Sequence, residues 1–418
     1  MVVGIIIGAS IFVQPTEVSR YVPNIPGIFA VWLIAGLLTA CGALVCAELS
    51  SAFPQTGGVY VFLNETISPS VGFLWGWAMF WSAHSGIVAA ASVVFGRYVA
   101  YFTPLDDRGI RIVAIGGILL LSAVNYLGVK QGSRVQAIIT AAKIIAIAAI
   151  LILVAVLGKH AAAPTAAAPL HFTISDFALA VGAGLFAFGG WHMVTYAAGE
   201  TRNPEKTIPR ALLIGTLTVT ACYLALNAAC LYLLPLDRVT HSTRVAADAA
   251  NALVGSKGAA AISGLVMVST FGVLNGVILA GPRVYLAIAE RYRALAWMGA
   301  IHPRFHTPHV AILLQAVWSS VLVATGTYRE LFSRVIYTEW IFFALMTVGL
   351  MLARRRPGYA PAYRAWGYPV VPIIFIAASL GVVFYHVAAD PWRAFGGLFI
   401  VVLGLPLYLL WIRKSAHN

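Results

Sequence analysis

Long apolar stretches, each near the length of a membrane crossing and divided by short polar or Gly/Pro-marked breaks, run along the whole chain. A bilayer core about 30 Å thick takes roughly 20 apolar residues per helix, so the pattern predicts about twelve spans. They fall near 2–20, 26–52, 70–102, 110–127, 135–158, 175–199, 209–234, 257–287, 309–326, 331–353, 369–388 and 394–412. Two are interrupted. In the first, GIIIGASIF (4–12) carries Gly8, Ala9 and Ser10 within an apolar run; in the sixth, GLFAFGGWHMV (184–194) is split by Gly189 and Gly190.

Composition turns the pattern into a class. Of 418 residues 61% are hydrophobic and 10% charged, and the mean hydropathy is +0.88, which describes an all-α integral membrane protein with one polytopic domain. With both termini placed in the cytoplasm, the cytoplasmic connections hold fifteen Lys and Arg against nine outside. That is the positive-inside bias. It accounts for the formal net charge of +13 as topology, with membrane lipids rather than nucleic acid as the surroundings.

Cys41, Cys46, Cys222 and Cys230 all lie in spans without CxxC or metal spacing and read as small packing residues. No HExxH, paired-Asp or Ser/His/Asp grouping shares a depth, so no catalytic residue, metal or cofactor is expected.

The first and sixth spans open two sets of five helices, over 1–158 and 175–353, with 369–412 left as two peripheral helices. An odd number of crossings inverts the second set relative to the first, and broken helices at matching places in such repeats point to a binding site at the bilayer midplane. Where a helix unwinds there, the N–H groups opening its second half are free at the positive end of the helix dipole and suit a carboxylate. The last carbonyls of the first half suit an ammonium. The alternative is that GAS and FGG are close helix-packing seams.

At these residues the chain resembles the amino acid, polyamine and organocation (APC) superfamily, and within it the L-type amino acid transporters and their bacterial relatives. The resemblance covers nearly the whole chain. It is carried by GIIIGASIFVQP (4–15), AELSSAFPQTGGVYVFL (47–63), VNYLGVKQGSRVQAIITAAKI (124–144), FAFGGW (186–191), GETRNPEKTIPRA (199–211) and FGVLNG (271–276), in order and spacing. It implies a LeuT-type 5+5 inverted repeat with helices 1 and 6 broken. By position, the backbone amides around Gly8, Ala9 and Ser10 would hold a substrate carboxylate, and the carbonyls of Ile6, Phe186 and Gly189 its amino group. Phe186 would also be the aromatic lid. Ser10 stands where the L-type group usually has Gly, and His192 where Asn or Asp is frequent.

Several polar residues lie at membrane depth. Lys143, in the fifth span, sits roughly 13 Å along its helix from the cytoplasmic end, too deep for its stem to snorkel. An ionisable group there costs about 2.5–3.5 kcal/mol on insertion scales and marks a functional position. The resemblance implies that its ammonium takes the place of a coupling sodium ion. Glu339 and Trp340 align with the helix 10 segment lining the distal pocket; Glu339 would pair with Lys143 or His192, bind a proton, or select a polar substrate. His84 reads as a packing histidine, while His192 follows the break and is expected in the pocket. Arg97 and Arg334 lie near span ends and read as interface anchors.

The sequence therefore predicts an alternating-access amino-acid transporter of a bacterial plasma membrane, with sodium-independent exchange of neutral amino acids. Proton-coupled uptake, a cationic amino acid or polyamine as substrate, and a channel or sensor on the same scaffold are the alternatives. Eukaryotic L-type light chains join a heavy chain through a cysteine between helices 3 and 4; TPLDDRGIR (103–111) has none, so no disulfide-linked partner is expected.

Overall fold

The computed structural model describes residues 2–8, 10–128, 141, 145, 147–148, 150–157 and 172–412. Among them the regular structure is helical and no strand occurs. The first span is three pieces: α1 (Val2–Ile6), a 3-10 turn at Ser10–Phe12, and α2 (Gln14–Tyr21). Then follow α3 (Ile25–Ala52), the short α4 (Val59–Thr66), α5 (Pro69–Val99) and α6 (Asp107–Leu127). The second half holds α7 (Ile174–Ala187), a 3-10 helix (Trp191–Glu200), α8 (Pro204–Leu233), α9 (Leu236–His241) and α10 (Val245–Arg291). Last come α11 (His309–Thr325), α12 (Tyr328–Ala353), α13 (Val370–Ala389) and α14 (Pro391–Leu407).

Nine described helices are long and apolar enough to cross a membrane, and α11 is a shorter apolar one. Several of their starts are capped by side chains that satisfy free backbone N–H groups. Asn24 accepts from Gly27 and Asp106 from Gly109. Thr173 with Asp176 and Thr327 with Glu330 form reciprocal capping boxes at α7 and α12.

Two elements differ from the pattern-based expectation. The eighth span begins after a non-helical break at Val254 and Gly255, close to the expected 257, and a separate helical segment from Val245 precedes it; Gly255 takes φ +74° there, a positive φ that glycine adopts without a Cβ penalty. The connection between the second and third spans contains α4, whose eight residues are far too short to register as a span.

The helices pack in pairs: α2 on α7, α3 along α8, α5 on α10, and α6 on α11. Polar contacts fix this packing at backbone irregularities. Pro282 within α10 has no N–H to reach the carbonyl four residues back, and Gln315 Nε2 of α11 donates to that Ile278 oxygen at 3.3 Å. His84 Nε2 lies 2.8 Å from the neighbouring Val277 oxygen, in keeping with a packing role. A π-turn at Met79–Ala83 brings Ser82 Oγ within 2.7 Å of Thr338 Oγ1, tying α5 to α12.

Candidate functional site

The two interruptions face each other. In the first, Ile7 N–H closes the last turn of α1 on Val3 O at 2.8 Å; the chain then leaves helical geometry through Gly8 and resumes in the Ser10–Phe12 turn. In the second, α7 ends with Gly189 N–H on Phe186 O at 3.1 Å. Gly190 follows at φ +88° and opens the Trp191 helix. A Cβ at Gly190 would lie 2.8 Å from Cγ2 of Ile5 in the first break, so the lack of a side chain is what lets the breaks approach this closely.

Tyr223 of α8 joins them. Its Oη lies 2.9 Å from both Ile6 O and Ala187 O. One hydroxyl donates one proton, so at any moment one of these carbonyls keeps a free acceptor pair. The phenol is held by Trp32 and Phe188, with ring centroids 5.6 and 4.9 Å away. Tyr223 was missed at the sequence level, where it is one aromatic among many in an apolar span; only the fold brings it to both breaks.

Between the breaks lies a narrow cavity with about 50 Å³ open to the centres of water molecules, room for about three to five waters. The breaks supply Ile6, Gly8, Ser10, Phe186, Gly189 and Gly190 to its wall, α5 supplies Ile87 and Ala91, and α10 supplies Val273 and Val277. From α12 come Ile336, Glu339, Trp340 and Phe343, a set at helical spacing that puts all four on one face. Seven of the ten site residues chosen from sequence thus share one wall: Ile6, Gly8, Ser10, Phe186, Gly189, Glu339 and Trp340. Ala9 and Lys143, also chosen, lie outside the described residues.

His192 does not line the cavity. Trp191 and Met193 on either side of it do, and the residue between them turns away. It packs against the rings of Trp75, Trp191, Tyr196 and Phe343, and neither of its nitrogens has a hydrogen-bond partner. The expected Glu339–His192 pairing is therefore not formed. Glu339 is 3% exposed and its Oε1 is buried without a partner.

An aromatic layer separates the cavity from a wide vestibule. The Phe186 ring meets Phe332 at 5.6 Å and Tyr328 at 6.5 Å, and Tyr328 also lines the vestibule. There Glu17, at the side of α2, receives Arg20 at 2.9 Å and two nitrogens of Arg329 at 2.8 and 3.0 Å. This ties the end of the first span to the start of α12. Arg97 and Arg334 line the vestibule too, and the Arg97 guanidinium stands 4.9 Å over Tyr328. Both are thus vestibule residues, not the lipid-interface anchors expected from their nearness to span ends.

The opposite end is tied together by polar contacts. Glu48 of α3 is fully buried and is gripped by Arg354 through two nitrogens, with Ala365 N–H donating at 2.7 Å. Tyr359 Oη lies 3.4 Å from the same carboxylate. Burial, with Glu48 beside it, pushes the Tyr359 phenol above its ordinary range, while the hydrogen bond to Glu48 raises Arg354 further still. Arg356 donates to the carbonyls of Glu65 and Thr66 at 2.6 and 2.7 Å. The 354–369 segment is thereby strapped across the ends of α3 and α4.

A family model for amino acid permeases matches residues 1–405. The serine/threonine exchanger SteT of Bacillus subtilis is 33% identical over 414 residues, covering 98% of this chain and 94% of that protein. The human cystine/glutamate transporter is 27% identical, covering 99% of this chain and 83% of its own. A rabbit (Oryctolagus cuniculus) large neutral amino acids transporter small subunit 2 is 30% identical, with 98% and 78% covered.

Proposed function

The chain belongs to the amino acid permease family, within the APC superfamily, and on that premise we propose that it is a sodium-independent exchanger of small neutral α-amino acids in a bacterial plasma membrane. The carrying observation is the pair of breaks facing across one cavity, with two carbonyls sharing a single Tyr223 proton. A substrate ammonium would take the spare acceptor pair on Ile6 or Ala187, and backbone amides around Gly8 and Ser10 would take the carboxylate. No charged side chain is needed for either end, so the site would read the α-amino acid core and leave side-chain choice to α12.

The packing supports an inverted repeat over 1–158 and 175–353. Numbered by span, the first packs on the sixth, the second on the seventh, the third on the eighth and the fourth on the ninth, as counterparts around a shared axis do. The Arg354–Arg356 cluster makes the Glu48 end cytoplasmic. The molecule is then closed inside by the Glu48 strap and separated from an outer vestibule by the Phe186 layer, an outward-facing form one aromatic step from open. A narrow, mostly apolar cavity favours a transporter over a channel, which needs a continuous polar path. The ground for sodium independence is the family resemblance, which implies that the Lys143 ammonium takes the role of a coupling cation; Lys143 itself lies outside the described residues.

Proteoliposomes loaded with unlabelled L-threonine are expected to take up labelled L-threonine several-fold faster than empty ones, with or without sodium. Equal uptake into empty vesicles, driven by an inward proton gradient, would replace exchange by symport. No movement of any amino acid would defeat the proposal.

A further inference from the structure

Apart from Ser10, the side chains lining the cavity include one strongly polar group, the Glu339 carboxyl. It is 3% exposed and Oε1 has no hydrogen-bond partner. Among the described residues no Lys, Arg or His lines this cavity. Ile336, Trp340 and Phe343 line the cavity with it from the same helix face.

An acceptor left unmet in such a place costs free energy that a ligand group can recover. The ligand must donate a hydrogen bond, and a cavity this narrow favours a short side chain. We infer that Glu339 selects amino acids whose short side chain ends in a hydrogen-bond donor, a hydroxyl or an ammonium, over apolar side chains of the same shape. This rests on the proposed exchange. It adds the substrate class, which the backbone groups of the breaks cannot set because they read the part common to all α-amino acids.

Threonine and valine are the decisive pair, because they match in shape and differ by one hydroxyl. A pocket built to hydrogen-bond a hydroxyl rejects the analogue lacking it far more strongly than an apolar pocket rejects an extra methylene. Competition against labelled L-alanine exchange in proteoliposomes measures the preference, with L-2,4-diaminobutyrate as the ammonium arm.

The wild-type protein is expected to prefer threonine over valine at least tenfold. Glu339→Met should bring the ratio close to one. Glu339→Gln, which keeps an acceptor but no charge, should retain part of the threonine preference and lose more of any preference for diaminobutyrate. Diaminobutyrate binding above threonine in the wild type identifies a charged carboxylate as the selector; threonine above diaminobutyrate identifies a hydroxyl site.

A wild-type ratio within threefold, or a ratio unchanged in Glu339→Met, overturns the inference while alanine exchange leaves the transporter reading intact. Proton-driven valine uptake that disappears in Glu339→Gln also overturns it, by making the carboxyl a proton site. Absence of alanine exchange in the wild type is failure of the exchange proposal itself.

Discussion

Replacement of Glu48 by alanine is expected to remove most of the folded protein. Glu48 is fully buried at the end of α3 and satisfies two Arg354 nitrogens and the Ala365 N–H. Deleting one partner of a buried pair costs about 3–5 kcal/mol, because the remaining charge stays in a low-dielectric site without a counter-charge. That is a large share of a total stability of roughly 5–15 kcal/mol. Arg354 is further confined by the Tyr368 ring at 4.1 Å, which limits its escape to water. Thermal unfolding of purified protein in detergent checks this: a midpoint many degrees lower or loss of monodisperse protein is expected for Glu48→Ala. A smaller loss is expected for Glu48→Gln, which can still accept from Ala365. A Glu48→Ala midpoint equal to wild type would show that the 354–369 strap contributes nothing to stability.

Gly190→Ala is expected to abolish exchange for a different reason. A residue with a Cβ at φ +88° pays about 1–2 kcal/mol for the left-handed conformation. The new methyl would also stand 2.8 Å from Ile5 Cγ2. Both strains are relieved by moving the two breaks apart, which displaces the Ile6 and Ala187 carbonyls from Tyr223. Each 1.4 kcal/mol of lost complementarity is tenfold in affinity, so exchange should fall at least tenfold with folded protein still recovered. Exchange within twofold of wild type, at normal protein yield, would mean that the close approach of the breaks is not required.

Much of this site could be located from sequence because its signal is compositional. Glycines and a serine inside apolar runs stand out, and their recurrence in the first and sixth spans needs no tertiary information. Glu339 and Trp340 were placed in the pocket by the family resemblance, which aligns them with the helix 10 segment of the L-type group, the intramembrane carboxylate adding its own cost argument. What escaped is what depends on direction. His192 follows the second break by two positions, yet the turn of the chain sends it behind Trp191 and Phe343. Arg97 and Arg334 have the depth of interface anchors, but which side of a helix faces lipid is set by packing, and they face the vestibule. Tyr223 joins two segments 217 and 36 residues away, a contact that no local pattern encodes. Likewise, α4 and the short helical segment from Val245 to the Gly255 break fall below the length and contrast that a hydropathy pattern resolves.

In the proposed mode of binding, the two breaks hold both ends of an α-amino acid through backbone groups. Its most direct measurement is competition against labelled L-threonine exchange by three unlabelled compounds: L-threonine, its methyl ester, and 3-hydroxybutyrate, which is threonine without its amino group. L-Threonine alone should compete, with the ester and the hydroxy acid each weaker by at least a hundredfold, because the ester leaves the amides of the breaks unmet and the hydroxy acid leaves their carbonyls unmet. Comparable inhibition by all three would contradict the claim and place recognition on the side chain instead.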